Sequence, residues 1–169
     1  MHDIVQRRGR RKKRDLAEFH VKRMVLSPEH WKSFAHPTAL AWTSVKFTYA
    51  NVATIPKTRG VYTFLVQPGI ANHPLCSYLL YVGETSQQTF KGRYRQYLRD
   101  GRAGDKSTRP HITDMIEKWE GFLWFCYAPI KDNQIIVDVE DALLSAYLPP
   151  TNKDFPAEIS KALRKLFGT

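Results

Sequence analysis

From Gly60 onward the chain settles into regular hydrophobic patterning. The run GVYTFLV (60–66) is rich in β-branched and aromatic residues. SYLLYVG (77–83) repeats that character after a loop with Pro68, Gly69 and Pro74, so the two are expected to pair as a hairpin. Apolar residues then return at helical spacing. Phe90, Tyr94, Tyr97 and Leu98 predict a helix over 89–100 closed by Gly101, and Ile112, Met115, Ile116 and Trp119 predict a second over 110–120 opened by Pro110. FLWFCYA (122–128) is apolar enough for a central strand. A third helix is expected over 138–148, stopped by Pro149 and Pro150. A closing helix from Pro156 packs Ile159, Leu163 and Leu166 and turns Lys161, Arg164 and Lys165 outward.

Ahead of Gly60 the pattern is weaker. Ser27-Pro28-Glu29 reads as a cap, a proline at the first helical position and an acid in the first turn, opening a short helix through Trp31 and Phe34. Residues 36–59 carry no assignable pattern apart from VKFTY (45–49), which alternates like a strand. These elements describe an α/β (α+β) chain. Its 169 residues, 43% of them hydrophobic, bury one core: a domain over 46–169 with its C-terminal helix, preceded by an arm and short helix over 1–45.

No apolar run approaches the roughly 18 to 20 residues of a membrane span, and the charged N-terminus lacks the apolar segment of a signal peptide, so a cytoplasmic protein without a membrane partner is expected. Cys76 and Cys126 form no C-x-x-C pair, which suits a reducing compartment. His73 and Cys76 have metal-ligand spacing, but no second cluster completes the four ligands of a structural zinc site.

Charge changes the picture. Lys and Arg number 26 against 16 acids, a net +10 that points to polyanions and to nucleic acid first. Nine basic and three acidic residues fall within the first 23 positions. The run RRGRRKKR, with Arg10, Arg11, Lys12, Lys13 and Arg14, is either a solubilising tail or an arm that grips phosphates, and a nuclear-localisation reading also fits its residues. Lys91, Arg95, Arg99 and Arg102 line a second face of the helix over 89–100, as a solvated surface or a track for a nucleic-acid backbone.

Four features carry candidate chemistry: Tyr62, Tyr81 beside Gly83, Arg93 and Glu140. Each has a plain explanation. Strand tyrosines fill cores, a glycine ends a strand, an arginine decorates a surface, and a glutamate near Asp138 and Asp141 answers the dipole of a helix first turn. Glu140, however, is flanked at helical spacing by Ile136, Leu143, Leu144 and Tyr147, where an unpaired charge is costly. Arg93 lies between Phe90 and Tyr97 at the border of its own buried face. The two charges are expected to pair or to face one cleft.

GVY at 60–62, YVG at 81–83, Arg93, and Glu140 followed by Pro149 and Asn152 resemble, in order and in register, the GIY-YIG endonuclease superfamily. Ile55-Pro56 is similar to the approach to that motif in its excision-repair branch. The likeness spans 55–152. It implies a small three-stranded antiparallel sheet flanked by helices and metal-dependent hydrolysis of nucleic-acid phosphodiesters. Glu140 matches the metal-binding glutamate, Arg93 the catalytic arginine, Tyr62 and Tyr81 the motif tyrosines, and Asn152 the asparagine that supports the site.

A single carboxylate suits Mg²⁺ or Mn²⁺, which keeps most of its waters, and a guanidinium suits a phosphate gathering charge. Tyr62 is favoured as proton acceptor, with Tyr81 orienting the water and Gly83 letting the backbone approach substrate. Two positions depart from relatives: Glu84 stands where some carry lysine and is expected to pair with Arg59, Lys91 or Arg93, and Tyr97 stands where some carry histidine. His111 is read as a surface or capping residue.

The resulting expectation is a stand-alone, Mg²⁺-dependent endonuclease cutting DNA to 5′-phosphate and 3′-hydroxyl ends. It would be either weakly selective, dependent on a homodimer or a partner protein, or selective through the loops 67–76 and 101–109. The alternatives are a non-catalytic nucleic-acid-binding protein of the same fold and a nuclease acting on RNA.

Overall fold

Extended segments rich in Val, Phe and Tyr form the sheet, and the amphipathic segments between them cover its two faces. The structure, a computed structural model, describes residues 24–34, 36, 38–67, 77–103 and 106–167. In chain order the elements are α1 (Pro28–Ser33), β1 (Thr43–Lys46), a 3-10 turn (Tyr49–Ala53), β2 (Gly60–Val66), β3 (Tyr78–Glu84), α2 (Phe90–Ala103), α3 (Pro110–Lys118), β4 (Leu123–Pro129), α4 (Asn133–Tyr147) and α5 (Ala157–Phe167). The loop with Pro68, Gly69 and Pro74 and the His73/Cys76 spacing lie outside the described residues.

The four strands make one antiparallel sheet in the order β1-β4-β2-β3. One face buries Phe47, Tyr62, Phe64, Val66, Leu123 and Phe125 against Phe90, Tyr94, Tyr97, Ile112 and Met115 of α2 and α3. The other buries Val61, Val82, Ala128 and Ile130 beneath Ile136, Val139, Leu143 and Leu144 of α4. Each such side chain contributes roughly 1.5–3 kcal/mol by leaving water, enough to hold helices on both faces. No helix among the described residues is long and apolar enough to cross a membrane.

The sheet has four strands, where three were expected. The additional strand, β1, comes from the segment with alternating pattern, but covers 43–46 instead of 45–49. It stops early because the Tyr94 hydroxyl accepts from Thr48 N–H (2.8 Å) and donates to Thr48 C=O (2.8 Å), which diverts the backbone into the 3-10 turn. The boundary expected between 45 and 46 falls inside this strand, where Val45 pairs with Phe125 and Lys46 with Trp124. α1 lies against α4, with Trp31 Nε1–H donating to Ala146 C=O.

Two helix ends also differ from the expectation, as does the packing of the last helix. α2 runs through Gly101 to Ala103, since that glycine serves a helix crossing: a Cβ there would lie 2.6 Å from Ile116 Cγ2 of α3. α4 begins at Asn133, not 138. Asp132 caps it, accepting from Gln134 N–H (2.8 Å) and Ile135 N–H (3.0 Å). It ends where Leu148 turns left-handed (φ 47°), ahead of Pro149. Of the three α5 residues expected to pack, Ile159 is buried and Leu163 partly so, whereas Leu166 is 68% exposed.

Candidate active-site cleft

The hairpin register brings the two triplets together. Tyr62 stands opposite Gly83 and Phe64 opposite Tyr81, so Tyr62 and Tyr81 project from the same face on adjacent strands, ring centroids 6.3 Å apart. A Cβ at 83 would fall on the Tyr62 hydroxyl and 2.6 Å from its Cζ, so the bare backbone of Gly83 makes room for that ring. The space beside Gly83 is thus filled by protein.

The Tyr62 hydroxyl reaches Tyr97 Oη at 2.6 Å. Both are sealed off, with Tyr62 1% and Tyr97 0% exposed. Burial lifts the Tyr62 hydroxyl well above the usual phenol range, the Tyr97 and Tyr81 phenols add to the rise, and the Arg93 guanidinium opposes it. Burial and then Tyr81 lift Tyr97 in the same direction. Such phenols keep their protons near neutrality, and Tyr62 has no route to bulk water. This geometry runs against the proton-acceptor role expected of Tyr62. Tyr81 is half-buried and opens onto a cleft.

That cleft, of about 330 Å³, is lined by Tyr81 from β3, Glu140 and Asp141 from α4, Asn152 to Pro156 from the connection into α5, and His111 from α3. Glu140 is the eighth residue of α4, two turns from its start, so the helix dipole does not account for it. The carboxyl is lifted from 4.5 to about 7 by burial first, then by the like charges of Glu84 and Asp141, with Arg93 opposing. Glu140 is therefore within the electrostatic reach of Arg93 without forming an ion pair with it.

Arg93 is held by neutral amides. Its Nη1 donates to Gln96 Oε1 (3.0 Å), and with the Gln88 amide oxygen turned toward it, Nε and Nη2 each donate at 2.9 Å. A guanidinium positioned by amides keeps its full charge available to an anion. The expected pairing of Glu84 with Arg59, Lys91 or Arg93 does not form. Its carboxylate turns back to accept from Ser86 N–H, while Arg59 donates to Ser86 C=O (3.2 Å) and Lys91 to Ala53 C=O (3.2 Å).

Asn152 acts on the sheet. Its Oδ1 accepts from Val82 N–H (3.0 Å) and its Nδ2 donates to Val82 C=O (2.8 Å), while Thr151 N–H donates to Leu80 C=O (3.0 Å). The connection after α4 is thereby latched to the outer edge of β3, which closes that edge to other strands and fixes the cleft wall.

The structure thus brings Tyr81, Glu140 and Asn152 onto one cleft, sets Arg93 near it, and buries Tyr62 behind it. Arg95, Arg99 and Arg102 are exposed along α2, with Arg102 stacked 3.9 Å over the Tyr49 ring. Arg10, Arg11, Lys12, Lys13 and Arg14 lie outside the described residues. His111 and Lys153 on the cleft were not foreseen. The one local signal for Lys153 was its place after Asn152, and His111 offered only its place after a helix-opening proline.

As for a cation, no three His, Cys, Asp or Glu side chains group into a cage among the described residues. Asn152 is committed to Val82. Of the cleft carboxylates, Asp141 and Asp154 are exposed and Glu140 is half-buried, with a raised proton affinity that suits a cation replacing the proton, which fits an ion keeping most of its waters. Comparison of the chain with protein-family models, with curated proteins and with solved structures returns no match. The reading of this cleft rests on its own residues.

Proposed function

We propose that the protein is a GIY-YIG-type endonuclease that hydrolyses nucleic-acid phosphodiesters, DNA ahead of RNA, with Mg²⁺ or Mn²⁺. The observation that carries this reading is the convergence of Tyr81, Glu140 and Asn152 on one cleft, with an amide-held Arg93 whose charge reaches Glu140. Glu140 would hold the cation. When bound, the cation neutralises charge on the phosphate and on the departing oxygen.

The chain's own residues do the rest. Arg93 faces the charge that accumulates on the non-bridging oxygens, a task for a donor that never loses its proton. Tyr81, the phenol that reaches the cleft, orients the attacking water. Tyr62 and Tyr97, hydrogen-bonded behind it, keep that phenol in place. Asn152 fixes the β3 edge from which Tyr81 projects. The product ends would be 5′-phosphate and 3′-hydroxyl.

Nicking of supercoiled plasmid tests the reading. Cleavage is expected with Mg²⁺ or Mn²⁺ and abolished by chelator. Glu140→Ala and Arg93→Ala should each lower its rate by about 100-fold or more while DNA binding persists. Absence of cleavage by the wild type on plasmid and on structured RNA alike, with binding intact, would replace this reading by the non-catalytic binder.

A further inference from the structure

The buried state of Tyr62 removes from the cleft the proton acceptor expected for the hydrolytic reaction. An oxygen of water attacking phosphorus must shed a proton, and the group that takes it has to sit within hydrogen-bond reach of that water. Tyr62 is 1% exposed with its hydroxyl 2.6 Å from that of Tyr97, so no water reaches it. Tyr81 opens onto the cleft, but an unassisted phenol is a poor base near neutrality. The remaining polar groups of the cleft are Glu140, Asp141, Lys153, Asp154, Asn152 and His111. Glu140 is assigned to the cation, Asp141 and Asp154 are exposed at the rim, Lys153 bears positive charge, and Asn152 is used up on Val82.

His111 is different in kind. It is half-buried, it comes from a separate element, α3, and it lines the same cleft as Glu140 and Asp141 of α4. Its helix is tied down at the start. The preceding residue but one, Arg109, pairs with Asp100 of α2 and stacks its guanidinium 5.0 Å from the Tyr97 ring. Thr113 Oγ1 donates to Asp100 C=O (3.2 Å), and Gly101 admits Ile116 at close range. The first turn of α3 is therefore held against the same stretch of α2 that carries Tyr97, and through Tyr97 against Tyr62. A catalytic side chain on an element braced in this way keeps its position during a reaction. Imidazole is also the side chain suited to exchanging protons near neutral pH.

We propose that His111 is the proton acceptor for the attacking water, an assignment that rests on the nuclease reading above. As the water oxygen bonds to phosphorus, its proton passes to an imidazole nitrogen and the phosphorus–oxygen bond to the leaving sugar breaks. The departing sugar oxygen takes a proton from solvent water, and the imidazolium returns its proton to solvent. His111 is thus a catalytic residue, whereas Tyr62 is a positioning residue that acts through Tyr97 and Tyr81.

Plasmid nicking by the full chain with Mg²⁺ tests the assignment, using wild type, His111→Ala, His111→Gln and Glu140→Ala, with unfolding midpoints measured alongside. Both His111 variants should lose about 100-fold or more in rate with DNA affinity retained. Free imidazole should restore part of the rate to His111→Ala and none to Glu140→Ala. Wild-type rates in either His111 variant would overturn the assignment and leave the nuclease reading standing. Loss of rate without rescue by imidazole, in a variant whose unfolding midpoint is unchanged, would also overturn it in favour of a role in holding substrate. A wild type that cleaves nothing would remove the nuclease reading, and the proton acceptor with it.

Discussion

Glu140 shows how a single half-buried side chain makes stability depend on pH. Its carboxyl, lifted to about 7, holds a proton in the folded protein over a range in which the unfolded chain has released it. The folded state binds more protons between the ordinary value of 4.5 and the folded value of about 7, so this contribution is full below that window, falls across it and is lost once pH has risen through 7. Glu140→Gln removes the penalty. At pH 8 it should raise the free energy of unfolding by about 1–3 kcal/mol, read from denaturant midpoints, and at pH 4 it should change little. Gly83 is the opposite case, a residue whose absence of a side chain is structural. Gly83→Ala sets a methyl on the buried Tyr62 ring and should cost about 2–4 kcal/mol. Unfolding titrations would check it. Gly83 stood out in the sequence for its place in the second triplet, but its reason was not legible there. The path of the Tyr62 ring follows from cross-strand register, which a single strand does not contain.

The edge of β3 is held by a segment that has no regular structure. Asn152→Ala removes two hydrogen bonds and leaves both polar groups of Val82 exposed at a partly buried edge, a loss of about 2–3 kcal/mol. Amide exchange at Val82 should speed by more than exchange at central positions of β2, because the opening is local. The hairpin, α3 and β4 were readable because each combines one clear period with a turn residue at its end. α4 was readable only in its second half. Asp138, Glu140 and Asp141 imitate a first turn, while the true cap, Asp132, precedes residues whose inward face shows only once β2 and β3 lie beneath it. Gly101 misled in the same way, since a glycine that ends a helix and one that admits a neighbouring helix look alike in one dimension.

Among the described residues, a stripe of exposed cations and a cluster of cleft carboxylates stand on different elements. Arg95, Arg99 and Arg102 stand exposed on α2, while the cleft gathers Glu140, Asp141 and Asp154 against Lys153. For the proposed nuclease, the stripe would supply sequence-independent grip and the cleft would need a divalent cation before a phosphate could enter. Replacing Arg95, Arg99 and Arg102 together by alanine should lower DNA affinity about equally for unrelated sequences. It should also flatten the dependence of log affinity on log salt by about two to three, measured by anisotropy across a salt series. Added Mg²⁺ or Mn²⁺ should raise the unfolding midpoint of the wild type and leave that of Glu140→Gln unmoved, a signature of binding independent of turnover.

Local order was written in the chain: which segments extend, which coil and where charge concentrates. These follow from periodicity, turn residues and composition, all of which act over a few neighbouring positions. Depth was not. That Tyr62 is sealed while Tyr81 opens to the cleft, that Asn152 grips Val82, and that His111 faces the same space as Glu140 follow from how the helices cover the sheet. Burial and solvent access depend on contacts between residues distant in sequence, and these exist only once the chain has folded.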